Sequence, residues 1–313
     1  VSLWLAFSRL NPAAVFEVIR QASPAPILLG ALVFFVSLAL IALRWQFLLR
    51  AVRPVPLRDL ISLVAIGYMG NNVYPFRSGE VLRIWLAQRN HGVPLARGAT
   101  TVVVERIFDG IVMLSFIFIS LSLVDIASPE VEQVVAISTP VFLVGLAAFF
   151  LLAARPNLLR WLVEKVHLGL PTRVALATRH LSEEFIAGIE CLRTPADLAG
   201  MVISSYLSWA ANAVVYWIVA SAFDLNVSYA HMLLVVGVVN LVGLIPASPG
   251  QLGVFEFFVS TVLIAAGVPE TPATAYALVV HMVIWLPVTL VGFYLLARQG
   301  LNWQSVARAR ALE

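Results

Sequence analysis

NNVYPFRSGEVLRIW, residues 71–85, concentrates charges and helix breakers in a chain that is otherwise 61% hydrophobic. Arg77, Glu80 and Arg83 stand there beside Pro75 and Gly79. An apolar chain that keeps such a cluster either has a polar interior or brings the cluster to the membrane surface, because charge within a bilayer is costly. Which alternative holds determines whether this stretch folds into the protein interior or lies as a loop at the membrane surface.

The composition is that of a membrane protein. The chain has 313 residues, only 12% of them charged, and a mean hydropathy of +0.93. Segments 22–43, 133–154 and 198–223 are uncharged, and 271–297 is interrupted only by His281. Each is long enough for the ~20 residues of a spanning helix. We therefore predict an all-α polytopic protein that crosses the cell (inner) membrane several times.

Other chemistry finds little support in the sequence. A single cysteine excludes an internal disulfide, and the five histidines are scattered without ligand spacing. We therefore expect no metal site, no other cofactor and no catalytic residue.

The positions of the arginines indicate on which side of the membrane the stretch 71–85 lies. The turn after the first span holds Arg44, Arg50, Arg53 and Arg58, which predicts a cytoplasmic position. Segment 60–76 is uncharged, and the chain then returns to arginines at 83, 89 and 97. A segment that enters and returns on one side is a re-entrant hairpin. A cytoplasmic loop at the level of the lipid headgroups is the alternative.

The tip of that hairpin is typical of an anion site. Pro75 cannot continue the incoming helix, and Ser78 is predicted to cap a new helix that contains Glu80 in its first turn. Free amides and the positive end of the helix dipole, with Arg77 beside them, suit an anion such as a lipid phosphate.

A second stretch, GVVNLVGLIPASPGQLGVFEFF at 237–258, repeats the pattern. Asn240 precedes a break at Pro246, and Ser248 with Gln251 predicts a capping box that has Pro249 at the first helical position. Because the preceding span runs outward, this hairpin starts from the outside. The two halves therefore predict inverted-topology repeats, each with a broken or re-entrant helical hairpin.

VVVERIFDGIVML is the third concentration of charge. Glu105 and Asp109 share a helix face, and Arg106 is spaced to pair with Asp109. These charges indicate either a polar interior or the cytoplasmic end of a helix whose side chains reach the interface.

The predicted organisation has three parts. Residues 1–21 are an N-terminal segment, interpreted as a truncated helix, and 301–313 are a cytoplasmic tail. Between them lies one membrane domain, 22–300, with repeat one at 22–124, a connecting span and an interfacial helix within 133–193, and repeat two at 197–298.

The motifs RW at 44–45, NNVYPFRSGEVLR, TTVVVERIFDG and LIPASPGQLGVFE together resemble the lysylphosphatidylglycerol synthase transmembrane family of flippase-like proteins. The resemblance implies a polytopic fold with re-entrant helices and movement of lipids or lipid-linked molecules between leaflets. It departs at His281, where an arginine is expected. Because no soluble synthase domain follows Glu313, synthase activity is not implied.

From these patterns and from what the resemblance implies, we predict a lipid transporter, not an enzyme, whose cavity binds an anionic headgroup. An integral membrane enzyme that modifies lipids or polyprenyl-linked substrates is the alternative. Membrane lipids are the expected partners, nucleic acid is not expected, and a homo-oligomer is left open. The predicted substrate-binding residues are Asn71, Asn72, Arg77, Ser78, Glu80, Arg83, Glu105, Arg106, Asp109, Asn240, Ser248, Gly250 and Glu256.

Overall fold

The computed structural model describes residues 12–50, 52–124, 195–243 and 248–299, with single helical positions between 140 and 165. Every element in these ranges is helical, which confirms the predicted all-α class. The α-helices are α1 Pro12–Gln21, α2 Pro24–Leu49, α3 Leu57–Val73, α4 Gly79–His91, α5 Leu95–Leu121, α6 Pro195–Ser221, α7 Tyr229–Val242, α8 Val254–Ala265 and α9 Glu270–Arg298. Short 3-10 helices occur at Pro75–Arg77 and Pro249–Gln251.

Three described helices are long and apolar enough to cross a membrane: Pro24–Leu49, Ala196–Ser221 and Glu270–Arg298. They match three of the four predicted spans, and the fourth, 133–154, lies largely outside the described residues. α2 packs along α6 at close range, since a Cβ at Gly30 would lie 2.7 Å from Val219 Cγ2. α9 packs against α3, and α7 packs against α5.

α3 and α4 form a hairpin around residues 74–78, called the first break. Tyr74 is extended (φ −96°, ψ 148°), the conformation favoured before a proline, and Pro75 opens a 3-10 turn instead of continuing α3. The arms pack closely, since a Cβ at Gly79 would lie 1.9 Å from Gly67 O. With 17 and 13 residues, both arms are shorter than the ~20 residues that a spanning helix needs.

The predicted side-chain cap at Ser78 is wrong. Ser78 stands at the N-cap of α4, but its hydroxyl donates to the Pro75 carbonyl at 2.9 Å. Its backbone is helical (φ −64°, ψ −8°), whereas a capping side chain normally requires an extended backbone.

α7 and α8 flank the second break, of which Gly243 and residues 248–253 are described. The predicted capping box at Ser248 is wrong, because the Ser248 hydroxyl donates to Leu252 O at 3.0 Å and α8 begins only at Val254. Gly250 and Gln251 have φ values of 59° and 58°, so the chain turns here before the helix starts. The Glu256 carboxylate instead accepts the Gly253 N–H at 2.7 Å.

α5 carries its charges within a continuous helix of 27 residues. Glu105 is 0% exposed and Asp109 is 2% exposed, so neither carboxylate reaches the surface. Of the two alternatives raised by the sequence, the structure favours the polar interior.

Several predictions fall on parts of the chain outside the described residues. These are Pro246, the interfacial helix at 174–193 and the tail at 301–313. The inverted relation of the two hairpins, their re-entrant placement and the division into domains stay predictions.

Candidate functional site

A cavity of about 190 Å³ lies where the two breaks meet. The two 3-10 helices contact each other, and Arg77 donates from the first break to the Gly243 carbonyl at 2.6 Å. Helices α2 to α9 all contribute side chains to its wall. The cavity therefore depends on both hairpins, and neither one forms it alone.

An ion network forms one side of the cavity; it comprises Arg44, Arg77, Glu80, Arg83, Glu105, Arg106 and Asp109. At its inner end, Asp109 Oδ1 lies 2.5 Å from Arg44 Nη1, and Asp109 Oδ2 lies 3.1 Å from Arg106 Nη1. Glu105 pairs with Arg83 and lies 3.5 Å from Arg44 Nε. Each inner carboxylate thus joins arginines from different helices.

The outer end of the network is more open. Glu80 Oε1 lies 3.3 Å from Arg77 Nε and 3.7 Å from Arg106 Nε. The side chains of Arg77 and Arg106 are 26% and 27% exposed, whereas that of Arg44 is 1% exposed. Arg106 reaches both Glu80 and Asp109, which confirms the predicted pairing.

Tryptophans hold the inner end in place. Trp209 donates its indole N–H to Asp109 Oδ1 at 2.6 Å, and Trp45 donates to Thr101 Oγ1 at 2.9 Å. The guanidinium of Arg83 lies over the Trp45 ring, 4.6 Å from its centroid. Such a stacked and paired arginine is fixed in orientation.

The network has four arginines and three carboxylates, so it carries one excess positive charge when all are ionised. Buried charges are tolerated only when they are paired, and an unbalanced charge next to a cavity favours a counter-ion there. The geometry therefore suits an anionic group at the outer end, near Arg77 and Arg106.

The opposite side of the cavity is built differently. His281 Nδ1 lies 2.6 Å from Glu256 Oε1, and His281 Nε2 lies 2.9 Å from the Gly250 carbonyl oxygen. The imidazole is 3% exposed and stacks on Phe255 with a centroid distance of 4.2 Å. Within the described ranges, no three His, Cys, Asp or Glu side chains come together in a way that could hold a metal ion.

Most of the predicted binding residues line this cavity: Asn71, Asn72, Arg77, Glu80, Arg83, Arg106, Asp109, Asn240, Ser248 and Gly250. Three do not. Glu105 lies behind the cavity wall, where it pairs with Arg83. Glu256 contacts His281, which itself lines the cavity, and the Ser78 hydroxyl donates to the Pro75 carbonyl in its own turn. Their proposed roles in binding stay predictions.

The asparagines that line the cavity differ in whether their side chains already have hydrogen-bond partners. The Asn72 amide donates to Thr289 Oγ1 at 2.8 Å, and Asn240 donates to Val236 O at 2.9 Å, so both have structural partners. Outside the ion network, two buried polar atoms on the cavity wall, Asn71 Oδ1 and Trp285 Nε1, have no hydrogen-bond partner among the described residues.

Sequence reasoning missed Arg44, Trp209 and Trp285. Arg44 was assigned to the cytoplasmic turn after the first span, which is wrong: it lies inside α2, buried against Glu105 and Asp109. One signal was available, since Arg44 is the first charge inside an otherwise apolar helix and α2 continues to Leu49. The tryptophans gave no such signal.

These features define an all-helical membrane protein with a buried, net cationic cavity. The chain belongs to the lysylphosphatidylglycerol synthase transmembrane region family, whose profile matches residues 1–292. It is 25% identical to glycosyltransferase AglD of Haloferax volcanii over 90% of this chain and 50% of that protein. It is also 25% identical to a UPF0104 membrane protein of Methanothermobacter thermautotrophicus, over 90% of this chain and 86% of the relative.

The comparisons contradict one prediction. We expected no enzyme, but the relative from Haloferax volcanii is named a glycosyltransferase and the family is named for a synthase. The expectation had relied on the lack of recognisable catalytic motifs and on the absence of a soluble domain after Glu313, and this chain spans only half the length of that glycosyltransferase. Where a sequence ends is therefore no argument against catalysis.

Proposed function

We propose that this protein binds the phosphate-bearing headgroup of a membrane lipid in the cavity between the two breaks and takes part in modifying that lipid. One observation carries the proposal: the ion network on the cavity wall has an excess arginine, and its two outer arginines are partly exposed. A phosphate would complete the charge balance and accept charge-assisted hydrogen bonds.

Arg77 is the residue on which binding should depend most. It lines the cavity, comes from the first break, and shares a single carboxylate, Glu80, with Arg106. The inner arginines, Arg44 and Arg83, are already engaged by Asp109 and Glu105. Acyl chains would remain in the bilayer while the headgroup enters the cavity.

The names of the family and of one relative support a modification reaction. A synthase and a glycosyltransferase both transfer a group onto an acceptor, and a lipid or polyprenyl phosphate held at Arg77 would present such an acceptor. The network carboxylates are paired with arginines, so within this cavity they serve charge balance better than proton abstraction.

A second candidate function, movement of the lipid between leaflets, is favoured by the breaks themselves. Four short helices end at or next to the cavity, and irregular backbone at membrane depth is tolerated where it lines a polar cavity. In many transporters the ends of such half-helices form the substrate site, and the repeats that carry them move around it.

Lipid binding is tested by native mass spectrometry of protein in nanodiscs that contain phosphatidylglycerol or phosphatidylcholine. We expect selective retention of phosphatidylglycerol, reduced at least about tenfold in Arg77→Ala, because a charge-assisted hydrogen bond contributes about 1.5 to 3 kcal/mol. Arg58→Ala is the matched control, since the Arg58 side chain is 88% exposed and lies outside the cavity. Equal retention in all three proteins would overturn the proposal.

The two functions are separated in proteoliposomes. Lipid modification predicts a mass change of the anionic lipid when an activated sugar or aminoacyl donor is supplied. Leaflet movement predicts exchange of a fluorescent anionic lipid without a mass change. In either assay Arg77→Ala should lose the activity and Arg58→Ala should keep it.

A further inference from the structure

We infer that Glu256 and His281 form a proton-binding site that is coupled to binding of the anionic headgroup. This inference rests on the proposed function and adds to it a second ligand, the proton, held on the side of the cavity opposite the ion network. The hydrogen-bond partners of the imidazole carry the inference.

Both ring nitrogens of His281 face acceptors. The Gly250 carbonyl, 2.9 Å from Nε2, can only accept, so Nε2 carries a hydrogen. The 2.6 Å contact between Nδ1 and Glu256 Oε1 requires another hydrogen between these atoms, whether it belongs to the imidazole or to the carboxyl group. The pair therefore holds one exchangeable proton and is electrically neutral as a unit.

The surroundings leave that proton without an alternative partner. The second oxygen of Glu256 accepts the Gly253 N–H at 2.7 Å, and one face of the imidazole stacks on Phe255. Loss of the proton leaves one negative charge on a pair that is almost fully buried. It also removes one of the two contacts through which His281 bridges α8 and the second break.

The sign of the coupling follows from the charge. With the proton bound, the pair is neutral and the ion network keeps its excess positive charge; without it, the pair cancels that excess. An anionic headgroup should therefore bind more tightly at low pH and more weakly as the pH rises. By linkage, headgroup binding must drive proton uptake.

Other titratable or charged groups line the same cavity. They are Tyr68 on α3, Arg77 at the first break, Glu80 and Arg83 on α4, Arg106 and Asp109 on α5 and Tyr216 on α6. The test must therefore compare variants that fix the charge of the pair and leave these groups unchanged.

Two substitutions keep the contacts but remove the proton. In Glu256→Gln the amide can accept from Gly253 and donate to Nδ1, so the pair is neutral without the shared proton. In His281→Arg a permanent cation faces the carboxylate, so the pair is again neutral at every pH. His281→Asn leaves the Glu256 carboxylate without a cationic partner and so carries the charge of the deprotonated pair.

The experiment measures the affinity for a fluorescent phosphatidylglycerol in nanodiscs across about pH 5 to 9, which brackets ordinary histidine titration. In the wild type we expect affinity to fall about tenfold or more as the pH rises, as for one added charge at a cavity wall. Glu256→Gln and His281→Arg should lose most of this slope, whatever their absolute affinities, and His281→Asn should bind weakly throughout. Calorimetry in buffers of different ionisation enthalpy should show more proton uptake on lipid binding in the wild type than in Glu256→Gln or His281→Arg.

An unchanged slope in both neutral-pair variants would overturn the coupling and assign the pH dependence to the other cavity groups. Absence of phosphatidylglycerol binding at every pH would overturn the proposed function and the coupling with it. The proton site itself is tested without lipid by nitrogen NMR of histidine-labelled protein, with His281→Arg identifying the signal. At about pH 5, two protonated ring nitrogens, or one with a protonated Glu256 seen by infrared spectroscopy, support the site. One protonated ring nitrogen with an ionised Glu256 at that pH overturns it.

Discussion

The first break brings arginines to the cavity, whereas the described part of the second break brings a backbone carbonyl, a serine and a glycine in the left-handed region. Arginine side chains stay charged at any physiological pH, so the first side has a fixed charge. On the second side the nearest ionisable groups are His281 and Glu256, which share one proton. One side of the cavity is thus suited to attract an anion, and the other to adjust how strongly it is held.

The breaks also differ in why they need glycine. At the first break, Gly79 lets α4 approach α3 at backbone distance. At the second, Gly250 adopts a φ of 59° and sits against the Trp285 indole. The first is a packing requirement and the second is mainly a conformational one.

The largest loss of stability is expected from a substitution in the ion network, on the arginine-rich side of the cavity. Asp109→Asn removes the charge that balances Arg44 and Arg106, and breaking a buried pair costs about 3 to 5 kcal/mol of unfolding free energy. Asp59→Asn is the control, because Asp59 pairs with the exposed Arg58 at the surface and should cost under about 1 kcal/mol. Denaturant unfolding in detergent measures both, and equal losses would mean that the network is not a buried structural unit.

The second largest loss of stability is expected where α3 and α4 pack closely at Gly79. Gly79→Ala should destabilise the protein by about 2 to 3 kcal/mol, because the added Cβ would overlap Gly67 O and the Asn71 backbone. Gly110→Ala is the matched control within α5. Nothing lies within 4 Å of its Cβ position, so alanine should stabilise the helix by about 0.5 to 1 kcal/mol. A neutral Gly79→Ala would show that the hairpin arms are not packed this closely.

The sequence predicted where helices break better than where they begin. Pro75 acts through local sterics, so the end of α3 could be read from the chain. The start of α8 could not, because Gly250 and Gln251 turn the chain first and the Gln251 amide packs against Gly243. That contact joins residues on opposite sides of the second break, and no local pattern encodes it.

In the candidate site, too, the sequence predicted features that depend on local residues and missed those that depend on contacts between distant residues. Arg77, Glu80 and Arg106 were predicted because charge in an apolar chain is conspicuous by itself. Arg44 was missed because its role depends on Asp109, which lies 65 residues away in the chain. The pairing of His281 with Glu256 was equally hidden, since spacing along the chain does not show that α8 and α9 pack together.

The conformational requirement at the second break should have a smaller effect. Gly250→Ala places a side chain in the left-handed region, which costs roughly 1 to 2 kcal/mol, and pushes the Trp285 indole, now 2.6 Å from the Cβ position. Gly267→Ala isolates the backbone part, since Gly267 has a φ of 88° with nothing within 4 Å. The difference between the two in thermal unfolding measures the contact with Trp285. If Gly267→Ala is the more destabilising, Gly250 is not held against α9.

The smallest predicted effect is the coupling energy between Asn72 and Thr289, which tests whether the end of α3 and the helix that carries His281 are coupled. Asn72, at the end of α3, donates to Thr289 Oγ1 on α9 at 2.8 Å, and α9 also carries His281. Asn72→Ala and Thr289→Val should each cost about 1 kcal/mol, and the double variant should cost less than their sum by about 0.5 to 1 kcal/mol. Ser115→Ala with Thr289→Val is the control pair, because Ser115 hydrogen-bonds Ile111 O and Tyr206, whereas Thr289 hydrogen-bonds Asn72 and Trp285 O. Additive losses in the Asn72 cycle would mean that this hydrogen bond does not couple the end of α3 to the helix that bears His281.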